Sequence, residues 1–196
     1  MYKDKKIIHI VAADINGAIG NENKLLWNIP EDLKYFRETT LGHVVLMGRN
    51  TIESLPKKLS RRVVLEVSQK NAYNFVGGFC EMPTHEDTLP LLLDVSKTRS
   101  DMLNTDCIFI AGGSKLYEST MDIVDEVLLT RVYHEFNKFD STYQLPDSIE
   151  GMEFVGYTRE HHRIFIREWM DRSSGSCSVA IDHPVSVKFE KWRKVR

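Results

Sequence analysis

Asp32 is the residue whose type and setting could do chemistry. It stands in the stretch Leu26-Trp27-Asn28-Ile29-Pro30-Glu31-Asp32-Leu33-Lys34-Tyr35-Phe36. Pro30 suits the first turn of a helix and Asn28 suits its cap. On a 3.6-residue period Asp32 then shares a face with Phe36, and Leu33 meets Phe36 at i,i+3, while Lys34 and Glu38 point elsewhere. A carboxyl group inside such an apolar stripe loses hydration, its pKa rises, and it can hold or share a proton with a bound heterocycle near neutral pH. A plainer reading is that Asp32 only complements the positive helix end, as Glu31 does. Position alone leaves both open.

Three further places could hold phosphate. Gly48-Arg49-Asn50-Thr51 follows an apolar run and opens a helix, so N–H groups, the helix dipole and a guanidinium converge there. Ala111-Gly112-Gly113-Ser114 has the same form, its glycines letting backbone approach a ligand closely. Ser68, Gln69 and Lys70 end a third apolar run. If those runs are parallel strands, their carboxyl ends share one sheet edge, and together they suit a dinucleotide. There is no G-x-G-x-x-G fingerprint and no Walker motif. His161 and His162 are neighbours, which on a strand face opposite sides, so no metal site is expected. The absence of a G-x-S-x-G elbow leaves nothing to support covalent hydrolysis.

These residues need elements to carry them. Ile7–Ala13 reads as a buried strand, 15–28 as a polar loop, and the helix of Asp32 runs to about Thr40 with Gly42 beyond it. Val44–Met47 is a second strand, with a short helix from Gly48 that Pro56 stops. Val63–Val67 is a third strand, Thr88–Val95 a helix with Pro90 in its first turn, and Cys107–Ala111 a fourth strand. Ser114–Met121 is helical and Val127–Val132 a fifth strand. Alternating strands and helices predict an α/β fold, a three-layer sandwich around a mostly parallel central sheet. After Pro146 the segments 152–158, 164–170 and 185–192 change to strand character, with a hairpin turn at 172–176, and read as antiparallel strands on a sheet edge. The basic residues Lys188, Lys191, Arg193, Lys194 and Arg196 there read as a solvated strand face.

At 196 residues, the chain reads as a single domain, 1–196, with an extended C-terminal strand region from about 151. A net charge of −2 makes no electrostatic case for nucleic acid or a membrane surface. Cys80, Cys107 and Cys177 form no paired framework, and the N-terminal apolar run is too short for a signal peptide, so a reducing cytoplasmic setting is expected.

The chain resembles dihydrofolate reductases. Ile19-Gly20, the block Leu26 to Leu33, Phe36, Thr40, Met47-Gly48-Arg49-Asn50-Thr51-x-Glu53-Ser54, Arg62, Ile110-Ala111-Gly112-Gly113-Ser114-x-Leu116-Tyr117 and Leu129-Thr130 fall in that family's order over about residues 7–146. The resemblance implies hydride transfer from NADPH to dihydrofolate, and antifolates as inhibitors. It makes Asp32 the pterin-anchoring carboxylate, Thr130 its hydrogen-bonding threonine, and Trp27 the residue that meets the pterin through water. Ile10, Leu33, Phe36 and Leu55 match the apolar wall, and Ala111 a position usually branched. Arg62 matches the arginine that pairs with the substrate's α-carboxylate, with Arg61 its neighbour. Ala12, Ile19 and Gly20 match the nicotinamide side and its covering loop. Arg49 and Thr51, with Gly48 and Asn50, match cofactor-phosphate contacts, as do Gly113, Ser114 and Lys115, flanked by Gly112, Leu116 and Tyr117. The family has a cis peptide bond at this glycine pair. Ser68 and Gln69 match the adenosine end. Leu26 and Ser60-Arg61 stand where prolines and glycine are usual. The resemblance leaves two other readings to be tested: a related reductase of a ribosylated pyrimidine or a deazaflavin, and a folate-binding protein without turnover.

Overall fold

A computed structural model describes residues 2–67, 74–75, 78–79, 88–159, 162–164 and 184–195. In chain order the elements are β1 (Lys6–Asp14), β2 (Ala18–Gly20), α1 (Pro30–Thr40), β3 (Val44–Gly48), α2 (Arg49–Glu53), β4 (Val63–Val67), β5 (Asn74–Phe75) and β6 (Gly78–Phe79). They continue with α3 (Thr88–Met102), β7 (Cys107–Ile110), α4 (Ser114–Thr120), β8 (Glu126–Tyr133), β9 (Ser141–Thr142), β10 (Met152–Tyr157), β11 (His162–Ile164) and β12 (Val185–Lys194).

The main sheet runs β10-β12-β8-β1-β7-β3-β4-β5-β6, with β11 also on β12. Its centre is parallel: β8 with β1, β1 with β7, β7 with β3, and β3 with β4. The C-terminal strands are antiparallel, β12 on β8 and β10 on β12. The 164–170 strand and the 172–176 turn expected from sequence lie outside the described residues, apart from Ile164 at the end of β11.

Strand periodicity divides the core. Along β1, Ile7, Val11 and Ala13 pack on one side with Leu92 and Leu93 of α3 and Leu116 and Tyr117 of α4. Ile8 and Ile10 pack on the other with Tyr35 of α1 and Ile52 of α2. Successive side chains of a strand face opposite ways, so helices cover both faces and three layers result. In β12 the same alternation buries Val185, Val187 and Phe189, which join the α1 side. Two basic residues further along the strand are engaged: Lys191 pairs with Glu126 at 2.8 Å, and Lys194 donates to the carbonyls of Met121 and Asp122.

Two elements differ from the sequence reading for identifiable reasons. Helix α3 continues past Val95 to Met102. Its polar continuation is no obstacle, because the buried Ser96 donates to the carbonyl of Leu92 at 2.6 Å and Ser100 to that of Thr105 at 2.8 Å. Helix α1 is capped by Ile29, without a side-chain hydrogen bond, rather than by Asn28. A residue before proline is driven to extended backbone, so Ile29 is already outside the helix and Asn28 stands one place too far out.

The 15–28 loop is more ordered than its composition suggests. Its β2 pairs with β9, and the wholly buried Asp14 holds both ends of the entry. Asp14 Oδ1 accepts from the amides of Asn16 and Ala18, both at 2.8 Å, and Oδ2 accepts from that of Phe136 at 3.0 Å. An amide cannot accept on both atoms. Asp14→Asn is therefore expected to lower stability by about 2 kcal/mol, read as a lower urea midpoint at unchanged slope.

Candidate active site

Helix α1 lays its carboxylate against the sheet. Its buried residues are Asp32, Tyr35 and Thr40, with Phe36 partly covered on the same side. Leu33, predicted within this stripe, is 50% exposed. The stripe thus runs through Tyr35, one turn from Asp32, which sequence reasoning passed over. Across from the helix, Thr130 of β8 pairs in register with Ala12 of β1 and is itself buried. Burial pushes the Asp32 carboxyl up to about 6, against a smaller opposing effect of its hydrogen bond with Thr130. Burial thus gives Asp32 a setting that a residue serving only the helix end would not need.

Around this acid the apolar residues form one cluster: Ile10, Trp27, Met47, Phe109 and Ala111, with Ala12, Phe36, Ile52 and Leu55 packed against it. The Trp27 ring is buried beside Phe136, and its indole N–H has no hydrogen-bond partner among the described residues. A buried donor in that state suits an ordered water. The carbonyl of Ile10 accepts from the Tyr117 hydroxyl at 2.7 Å.

The two neighbouring arginines separate cleanly. Arg61 is exposed at a turn with φ 58°. Arg62 is partly buried, donates to Thr40 Oγ1 at 3.2 Å and to the carbonyl of Ser60 at 3.1 Å, and lies 5.9 Å from the Phe36 ring centre. Burial, and then Arg37, lowers its pKa.

The expected phosphate positions also converge. The amide of Gly48 donates to the carbonyl of Gly112 at 2.7 Å, tying the end of β3 to the turn after β7. The Gly112–Gly113 peptide bond is cis. A Cβ on Gly113 would stand 3.4 Å from Thr51 Oγ1, and one on Gly112, at φ +92°, would stand 3.3 Å from the Tyr117 ring. The two glycines thus lie close against Thr51 of α2 and Tyr117 of α4, and these helices also carry Arg49, Asn50, Ser114 and Lys115 at their starts. The carboxyl ends of β3, β4 and β7 lie side by side, as the motif spacing requires. Ser68, Gln69 and Lys70 lie outside the described residues.

The 15–28 loop brings in Asp140, whose place sequence spacing left open. Asp140 accepts from the amide of Glu22 at 2.8 Å, and its own amide donates to the carbonyl of Gly20 at 3.1 Å. Its carboxyl is held below the usual range by Ser141 first and this amide second. Ile19 and Gly20 are buried under the same pairing. A cavity of about 350 Å³ lined by Ile15, Arg131, Tyr133 and Trp192, among others, contains none of these residues. Among the described residues no group of side chains could hold a metal ion, and no helix is long and apolar enough to cross a membrane.

A sequence model of the dihydrofolate reductase family matches residues 6–164. The dihydrofolate reductase of Mycoplasma genitalium is 34% identical over 161 residues, covering 79% of this chain and 98% of that protein. That of Bacillus subtilis is 33% identical over 152 residues, covering 74% and 84%. Among solved structures, a dihydrofolate reductase from Enterococcus faecalis complexed with NADP(H) and RAB-propyl superposes with a TM-score of 0.69 at 20% identity, covering 100% of both chains.

Proposed function

Since this chain belongs to the dihydrofolate reductase family, we propose that it reduces 7,8-dihydrofolate to 5,6,7,8-tetrahydrofolate with NADPH in the cytoplasm, supporting one-carbon metabolism and thymidylate synthesis. The observation that carries this reading is the Asp32 carboxyl, buried in an apolar wall with its pKa raised to about 6, facing Thr130. The same reading takes residues 1–196 as one domain.

The glycines keep the backbone after β7 close to the end of β3 and to Thr51, a setting that suits a nucleotide's phosphates. Arg49, Thr51, Ser114 and Lys115 would hold the phosphates, together with the backbone from Gly48 to Asn50 and from Gly112 to Tyr117. Ala12, Ile19 and Gly20 would flank the nicotinamide, and Ser68 and Gln69 the adenosine. NADPH, when bound, supplies the hydride that reaches C6 of dihydrofolate.

The chain's own residues do the rest. Asp32 fixes the pterin by its amino group and N3, and Thr130 orients the carboxyl. A water held by the Trp27 indole N–H lies along the route by which N5 takes its proton. Ile10, Phe36, Leu55 and Ala111 exclude other solvent, and Arg62 pairs with the substrate's α-carboxylate. The loop held by Asp140 covers the nicotinamide side. Antifolates, as flat basic heterocycles, compete for Asp32.

The test is loss of NADPH absorbance on adding dihydrofolate. Turnover is expected with dihydrofolate and not with a ribosylated pyrimidine or a deazaflavin. Tight binding of dihydrofolate without turnover by folded protein would overturn the enzymatic reading.

A further inference from the structure

Glu66 is an acid where the proposed cofactor site needs positive charge. It sits on β4 opposite Met47 of β3, one residue before the strand end at Val67. Its side chain is only 9% exposed, and its Oε1 accepts from Arg49 Nε at 2.8 Å. At dinucleotide sites an acid near a strand end suits the ribose hydroxyls of the unphosphorylated cofactor, whereas an arginine suits the 2′-phosphate. Here the two stand side by side, and the acid grips the arginine. The arginine side chain remains 36% exposed, so it presents charge to solvent while one edge of its fork is committed to Glu66. That carboxylate offsets part of the guanidinium charge and repels an incoming phosphate. A cofactor lacking the extra phosphate escapes most of that repulsion.

We propose that Glu66 sets cofactor choice, lowering the preference for the phosphorylated nicotinamide dinucleotide over the unphosphorylated one. This rests on the reading of Arg49 as a cofactor-phosphate contact, and further on that phosphate being the 2′-phosphate, the one the two cofactors do not share. Glu66 acts through Arg49 and is a positioning residue.

The experiment titrates full-length protein with NADPH and with NADH, following quenching of tryptophan fluorescence, for the native chain, Glu66→Gln, Glu66→Ser and Arg49→Gln. Glutamine keeps an oxygen for Arg49 Nε and removes only the charge, and serine removes the charge without placing an amide in the pocket. Glu66→Gln is expected to tighten NADPH about fivefold, the scale of a partly exposed charge contact, and to leave NADH within about twofold. Glu66→Ser should move the ratio in the same direction. Equal shifts for both cofactors, or none, in whichever of the two variants folds, would overturn the proposal. Arg49→Gln separates the two levels. If it weakens NADPH selectively while the Glu66 variants do nothing, only this proposal fails. If it weakens both cofactors equally, Arg49 meets a shared phosphate and the proposal fails; if it leaves NADPH binding unchanged, the reading of Arg49 fails and takes the proposal with it.

Discussion

Asp32→Asn is expected to lower dihydrofolate turnover near neutral pH by about 10³-fold while making the protein more stable. The loss is on the scale of removing a positioned proton-holding group. The gain follows from burial. The native chain holds the Asp32 proton up to about pH 6, whereas the group's ordinary value is 3.8. Because the folded-state value is the higher one, this carboxyl's stabilising contribution is complete below the unfolded value. It declines as pH rises between the two values and is gone above the folded one, where the ionised buried carboxylate opposes folding. Two pKa units correspond to roughly 3 kcal/mol, and in a chain of this size to a rise of about 6–12 °C in Tm for the asparagine variant at pH 7–8. Below about pH 4 the variant and the native chain should melt together. Thermal melts at the two pH values check the sign, and steady-state rates check the activity.

Arg62→Leu is expected to raise KM for dihydrofolate by about 10- to 100-fold with kcat little changed, since a charged hydrogen bond to a carboxylate remote from the reacting atoms contributes uniform binding. Leucine can keep apolar contact with Phe36. Thr40, which also donates to the carbonyl of Phe36 at 2.7 Å, does not lose its last partner. Folding should therefore survive. Arg62→Lys keeps charge but not the planar fork, and is expected between the two. Arg61→Leu, at an exposed turn, should leave KM within about twofold. A large KM effect at residue 61 and none at residue 62 would reverse the assignment.

How much was legible depended on how local the cause was. β4 could be read to its ends because Val63, Val64, Leu65 and Val67, broken only by Glu66, make a short β-branched and apolar stretch between polar residues. The parallel centre and antiparallel C-terminal edge followed from alternation and composition, both carried by neighbours in sequence. Asp32 could be suspected because helical spacing alone sets it beside Phe36. Its burial could not be read, because that comes from β1 and β8, which also decide that Tyr35 rather than Leu33 lines the buried side. The roles of Asp14 and Asp140 could not be read for a related reason. Their work is to accept backbone amides, and two of those contacts, Phe136 to Asp14 and Glu22 to Asp140, span more than a hundred residues. His9 is a similar case. It is fully buried between Thr120 and Tyr143, and burial lowers its pKa to about 3, so it stays neutral, a polar residue in a strand whose periodicity suggests only aliphatic packing.

The most direct measurement is the titration of the Asp32 carboxyl, followed by carbon NMR of aspartate-labelled protein with Asp32→Asn identifying the signal. A midpoint near pH 6 in the ligand-free protein, moving when a pterin-like ligand binds, is the expected result. A midpoint near 4, unmoved by ligand, would contradict the claim that a desolvated acid anchors the substrate ring.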